Sequence, residues 1–202
     1  MPDFLDDDFL LRSDTARRLY HEVAKDLPII DYHCHLPPGE VAQDKTFSNL
    51  AEAWLGGDHY KWRIMRTNGV PEELCTGDAD PYEKFLAFAR TMPLCLRNPM
   101  YHWCHLELRR YFGIDLLLNE ENAPKIWEAV NEQLPELSAR KILDRFKVAV
   151  VCTTDDPTDT LEHHQTIAEQ RKKGELRTNI LPTFRPDSAL KVDQRSEEHT
   201  SE

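Results

Sequence analysis

Positive charge is in short supply in this chain. Its 25 lysines and arginines face 36 aspartates and glutamates, a formal net charge of −11 over 202 residues. A phosphate-backbone partner calls for clustered Lys and Arg, so no nucleic acid is expected. No apolar run approaches the roughly 20 residues of a membrane span, so no membrane partner is expected either. The acidic start, Met1-Pro-Asp-Phe-Leu-Asp-Asp-Asp8, lacks the basic end and apolar core of a secretory signal. The five cysteines (Cys34, Cys75, Cys95, Cys104, Cys152) are odd in number and contain no Cys-x-x-Cys pair. That excludes a disulfide scaffold or a zinc finger and fits reduced thiols in a cytoplasm. There is no internal repeat. What remains is an ordinary globular balance, 40% hydrophobic and 30% charged, enough for one domain.

The apolar pattern organises that domain. Ser13 to Asp26 reads as a helix capped by Ser13, with Ala16, Leu19, Tyr20, Val23 and Ala24 on one face. Residues 27–36, Leu-Pro-Ile-Ile-Asp-Tyr-His-Cys-His-Leu, read as a buried strand that ends in polar residues and is stopped by Pro37-Pro38-Gly39. From about residue 40 to 145 the pattern is mostly helical, clearest over Pro81–Met92 and Pro99–Phe112, each with Pro in its first turn. The aromatics of this stretch, from Trp54 to Phe112, read mainly as helical core. Lys147–Thr153 is a second buried strand. Thr154-Asp155-Asp156-Pro157 opens a helix to about Lys173, with Asp156 as its N-cap. Asn179–Phe184 is a third strand. Strand, helical insert, strand, helix, strand is the opening of an α/β fold with a parallel sheet. In all three strands the polar residues gather at the carboxyl end, where a β/α barrel carries its active site.

Three groups there can do chemistry. His33 and His35 end the first strand two residues apart, so alternation points both imidazoles one way and Cys34 the other. Two imidazoles on one face can grip a single divalent ion, a transition metal such as zinc. The pair is half a site and needs a further ligand from elsewhere. Asp58-His59-Tyr60-Lys61-Trp62-Arg63, with Arg66, mixes hydrogen-bond donors and aromatic surface, as sugar and carboxylate sites do; a solvated helix face with a buried Trp62 is the equal alternative. Arg185 follows the third strand directly and can clamp a carboxylate bidentately, or pair on the surface with Asp187. His163-His164 reads as a solvated helix face, and Trp103-Cys104-His105 as packing.

Several stretches together resemble the uronate isomerase (glucuronate isomerase) family of the amidohydrolase superfamily. They are residues 4–11, 27–36, 58–63, 98–103, 105–108, 152–157 and 181–187, and the likeness runs to about residue 193. His-x-His alone points only to the superfamily; the combination points to the isomerase. The resemblance implies a (β/α)8 TIM-type barrel of the metal-dependent hydrolase type, with a large helical insert after strand 1. It implies aldose–ketose isomerisation of D-glucuronate to D-fructuronate and of D-galacturonate to D-tagaturonate through an enediol. His33 and His35 would hold one divalent metal ion, zinc. His59 and Arg185 would bind the uronate, and Tyr60 would act in catalysis. A family Asp at the end of the last strand, the expected general base, and an Arg two positions after it are not in this chain. A homo-oligomer is expected at full length.

Arg195–Glu202 resembles the translation of a sequencing-adapter oligonucleotide joined after Gln194. On that reading residues 1–194 are the amino-terminal part of a single barrel domain, truncated after about strand 3. The piece alone would be inactive, because an unclosed barrel leaves sheet edges open. A metal-dependent hydrolase of the same superfamily and a non-catalytic fragment are the alternatives.

Overall fold

The computed structural model describes residues 4–186 and Leu190. Among them the elements run, in order, α1 (Asp14–Glu22), β1 (Ile29–Asp31), α2 (Pro38–Ala42), α3 (Leu50–Leu55), α4 (His59–Thr67), α5 (Glu72–Cys75), α6 (Pro81–Thr91), α7 (Pro99–Phe112), α8 (Ala123–Gln133), α9 (Ala139–Arg145), β2 (Val148–Asp155), α10 (Glu162–Lys172) and β3 (Asn179–Phe184). Arg195–Glu202, read above as an adapter remnant, and Asp187, the alternative partner of Arg185, lie outside the described residues. The chain divides into two compact units, Met1–Leu19 with Thr46–Leu137, and Tyr20–Lys45 with Ser138–Glu202.

The first unit is helical. Its core follows from apolar residues at helical spacing: Phe85, Phe88 and Ala89 of α6, with Met92 just beyond, are all fully buried. Leu50 and Trp54 of α3, Met65 of α4, Cys104 and Leu108 of α7, and Ile126 and Val130 of α8 complete the same cluster. The helix ends are set by local chemistry. The Asp80 carboxylate accepts from the amides of Tyr82 and Glu83, with Pro81 in the first turn. Asn98 caps α7 ahead of Pro99. Gly113, at φ +68°, ends α7 in the left-handed conformation that favours glycine. The two helices expected from proline-led periodicity therefore fall where they were read. The aromatics divide: Trp54 and Tyr101 are buried, whereas Tyr60 and Trp103 are more than half exposed.

The second unit holds a parallel sheet of order β1-β2-β3. Its core gathers Val41, Leu143, Val151, Ile167, Leu176 and Ile180, with Cys34, Leu36 and Val148 packed against it. Arg140 of α9 closes the carboxyl end of short α2, where helix carbonyls lack partners. Its Nε donates to Val41 O at 2.8 Å and its Nη2 to Ala42 O at 2.7 Å. Nη2 also reaches Gln170 Oε1 of α10 at 2.7 Å.

Three expectations change here. The first helix breaks at Val23 and buries none of its residues; Leu19 and Val23 are exposed. The first strand is three residues long rather than ten and is not buried, with Ile29 and Ile30 46% and 64% exposed. Among the described residues the helices of this unit pack on one face of the sheet. The helix after β2 does not begin at Thr154: the strand runs on to Asp155 and α10 starts at Glu162. Asp156 consequently caps a turn and not a helix, its carboxylate accepting from the Thr158 amide at 2.9 Å and hydroxyl at 2.7 Å.

Candidate active site

Because the three strands are parallel, their carboxyl ends lie on one edge, and the chemistry-bearing residues of the second unit gather there. His33 and His35 follow β1. Their ring centroids are 5.2 Å apart and nearly perpendicular, at 87°. Past the last strand residue the Cys34 amide donates to Cys152 O at 3.0 Å and meets β2 again. Cys34 and Leu36 turn to the core while both imidazoles stay exposed. Burial pushes the Cys34 thiol up, against the pull of the Leu36 amide.

His35 Nδ1 lies 3.1 Å from the Thr154 hydroxyl, at the end of β2. That contact leaves Nε2 as the nitrogen available to a ligand and fixes the ring, as outer hydrogen bonds do around metal-binding histidines. An imidazole nitrogen sits about 2.0–2.1 Å from a divalent ion, which places two rings sharing one ion roughly 5 Å apart between centroids. The observed pair fits. Among the described residues no group of three or more His, Cys, Asp or Glu side chains gathers into a metal site.

Arg185 is the first residue past β3. Its amide donates to Asp155 O at 2.9 Å, carrying the ladder one residue beyond the strand. With β2 between them, Arg185 and the histidines stand two strand spacings apart on one edge, about 10 Å.

The helical unit holds the other two candidates. His59 and Tyr60 are the first residues of α4, both exposed, with ring centroids 4.4 Å apart. Arg63 lies over the Tyr60 ring at 5.5 Å. Asp58 holds this turn: its carboxylate accepts from the Tyr60 and Lys61 amides at 2.9 and 3.1 Å and pairs with Lys61 Nζ at 2.7 Å. Burial works to raise the Asp58 carboxyl, but Lys61 and the two amides outweigh it and hold it below the usual carboxylate range. Burial likewise works to lower Lys61, yet Glu107, Cys104 and Asp58 together keep it above the ordinary lysine value. Within the Asp58–Arg63 stretch Lys61 is buried, Trp62 is half-buried with its Nε1 donating to Leu55 O at 2.8 Å, and His59, Tyr60 and Arg63 are exposed.

Sequence reading missed one buried group behind the strand ends. His164, assigned to a solvated face, is buried, with Nε2 2.8 Å from the Thr153 hydroxyl. Asp155 is buried beside it and accepts from that hydroxyl at 2.8 Å. A signal was present: Val151, Thr153 and Asp155 alternate on one side of the strand, so a carboxylate on the core side requires partners. His105 behaves as read: its Nδ1 contacts Tyr101 O, its Nε2 accepts from the Leu118 amide at 2.9 Å, and both nitrogens are used in packing.

A parallel sheet with helices packed on it, and a His-x-His pair and an arginine at the carboxyl ends of its strands, defines an α/β protein. The glucuronate isomerase family profile matches residues 1–200, and the chain belongs to that family. It is 61% identical over 191 residues to the uronate isomerase of Solibacter usitatus, covering 94% of this chain and 40% of that protein. It is 55% identical over 196 residues to the uronate isomerase of Caldicellulosiruptor bescii, covering 97% and 42%. Among solved structures, uronate isomerase from Thermotoga maritima superposes with a TM-score of 0.89 at 44% identity, over 95% of this chain and 41% of that one. The chain spans about two fifths of the length of the curated relatives it matches.

Proposed function

We propose that this chain is the amino-terminal part of a (β/α)8-barrel uronate isomerase, with residues 1–194 belonging to one barrel domain. The full-length protein then interconverts D-glucuronate with D-fructuronate and D-galacturonate with D-tagaturonate. The observation that carries the reading is the family match along the whole chain together with His33, His35 and Arg185 on a single sheet edge. A cytoplasmic location is part of the same reading. Among the described residues no helix is long and apolar enough to cross a membrane.

Moving a carbonyl from C1 to C2 requires one proton to leave C2, a proton to arrive at C1, and negative charge to be carried on oxygen between the two events. This chain supplies binding and charge support. His33 and His35 would hold one divalent ion, zinc by the preference of imidazole ligands. Bound there, the ion would supply Lewis-acid support for an oxygen of the substrate. Arg185 would pair with the substrate carboxylate, which a planar guanidinium matches bidentately. By family resemblance His59 would bind the uronate and Tyr60 would donate its hydroxyl proton to an oxygen on which charge develops. Exposure of both rings on a well-capped turn supports that assignment.

The test is an assay of the full-length protein on both uronates. Isomerisation is expected, with Arg185→Met lowering kcat/KM by about 10- to 150-fold, the worth of a charge-assisted hydrogen bond. An unchanged value removes Arg185 from the site. Hydrolysis of esters, amides or lactones without isomerisation puts a superfamily hydrolase in its place.

A further inference from the structure

Three buried polar groups behind the sheet edge have no part in the chemistry above. Val151, Thr153 and Asp155 form the row of β2 that faces the core. Val151 is apolar, as the place demands. Thr153 is fully buried and Asp155 is 7% exposed. A carboxylate in such a place is costly unless its oxygens are bonded, and a third aliphatic residue would pack there without that cost.

Asp155 is held from three sides: by Thr153 on its own strand, by His164 of α10, whose Nε2 lies 3.6 Å from Asp155 Oδ1, and by the end of β3. Thr153 has a single hydroxyl proton, and the shortest acceptor for it is Asp155 Oδ2, at 2.8 Å, against 3.2 Å to Leu181 O. Thr153 thus spends its proton on Asp155, and toward His164 Nε2, 2.8 Å from the Thr153 hydroxyl oxygen, it accepts. The relay runs from His164 of α10 through Thr153 to Asp155. Asp155 Oδ2 also accepts from the Thr183 amide at 3.2 Å, and the main-chain carbonyl of Asp155 accepts from the Arg185 amide at 2.9 Å. The Thr183 hydroxyl completes the clamp by donating to Thr153 O. One residue thus holds both backbone positions that flank Phe184 and deliver Arg185.

We propose that Asp155 is a positioning residue for Arg185: its carboxylate and its carbonyl fix the end of β3, braced from α10 by His164 through Thr153, and so set where the guanidinium meets the substrate carboxylate. This rests on the substrate role assigned to Arg185 above. A misplacement of about 1 Å can lower a rate by about 100-fold, and the clamp is what prevents it.

The test is a double-mutant cycle in the full-length enzyme, reading kcat and KM for D-glucuronate. Asp155→Ala should lower kcat/KM by about 100-fold, mainly through KM. Asp155→Asn should keep most of the activity, because its amide oxygen still accepts from Thr183 and Thr153. On an Arg185→Met background Asp155→Ala should add less than about twofold, since residues acting through one another are not additive. If Asp155→Ala yields no folded enzyme, Thr153→Val replaces it in the cycle, with a drop of about tenfold that also vanishes beside Arg185→Met. Equal losses on both backgrounds would mean that Asp155 only stabilises the fold, and would overturn the proposal while leaving Arg185 in the site. Activity indifferent to Asp155→Ala overturns it as well. An enzyme indifferent to Arg185→Met overturns this proposal and the role of Arg185 together.

Discussion

The helical unit and the sheet unit treat their apolar residues differently. In the first, Phe85, Phe88, Leu108, Ile126 and Val130 are wholly enclosed by neighbours from the same unit. In the second, Ile29, Ile30 and Phe184 stand between 46% and 71% exposed on a sheet whose other face is packed. Helices can close a core with one apolar stripe each, whereas parallel strands have two faces to cover. Among the described residues, one part of the chain encloses its apolar residues and the other leaves several of them open. The candidate ligands His33, His35 and Arg185 all belong to the second kind.

That contrast can be broken experimentally, and the largest effect should come from the closed core. Phe88→Ala in the full-length protein should cost about 3–5 kcal/mol, read by urea unfolding; a much smaller loss would mean that the helical core is looser than its burial indicates. Ile30→Ala comes next. If its face becomes barrel interior in the full-length protein, as proposed, the cost should be about 2–5 kcal/mol. A change under about 0.5 kcal/mol would leave that face in solvent and sink the barrel reading.

Lys61→Met should cost about 1.5–3 kcal/mol by removing a charge-assisted bond to Asp58 within the helical unit. Its pH dependence has a definite sign. Asp58 is depressed, so its contribution is present above the ordinary carboxylate pKa and fades as acid titrates it. Lys61 is raised, so its contribution is present below the ordinary lysine pKa and fades as pH climbs past its own value. The stability difference between wild type and Lys61→Met should therefore be flat through neutral pH and shrink at both ends. A difference independent of pH would assign the loss to packing around Trp54 instead. The smallest effect falls on the sheet edge: Thr154→Val should weaken zinc binding by about tenfold, measured by competition with a chromophoric chelator. Unaltered affinity would separate Thr154 from the orientation of His35.

Much of this comparison was legible in the sequence. Proline-led helical periodicity located α6 and α7, and two-residue alternation located the histidine pair, because both signals are local and repeat. Burial was less legible. Ile29 and Ile30 read as core because apolar residues carry no label for the partner that covers them. Asp156 before Pro157 looked like a helix cap, yet the chain first makes a turn and enters α10 through Leu161 at φ +56°, a conformation leucine rarely adopts. His164 looked solvated because α10 has a largely polar sequence, and only the carboxylate two positions after Thr153 on the facing strand hinted at a buried mate.

The Cys34 amide bond to Cys152 has a consequence for how the histidine pair is encoded. It keeps residues 33–36 in step with β2, so whether a side chain meets the core or the open face depends on whether its position is odd or even. One residue inserted after Asp31 would present Cys34 and Leu36 to the ligand and bury both imidazoles; two residues inserted would restore them. The site is written as a parity, and a single count error erases it while every amino acid remains.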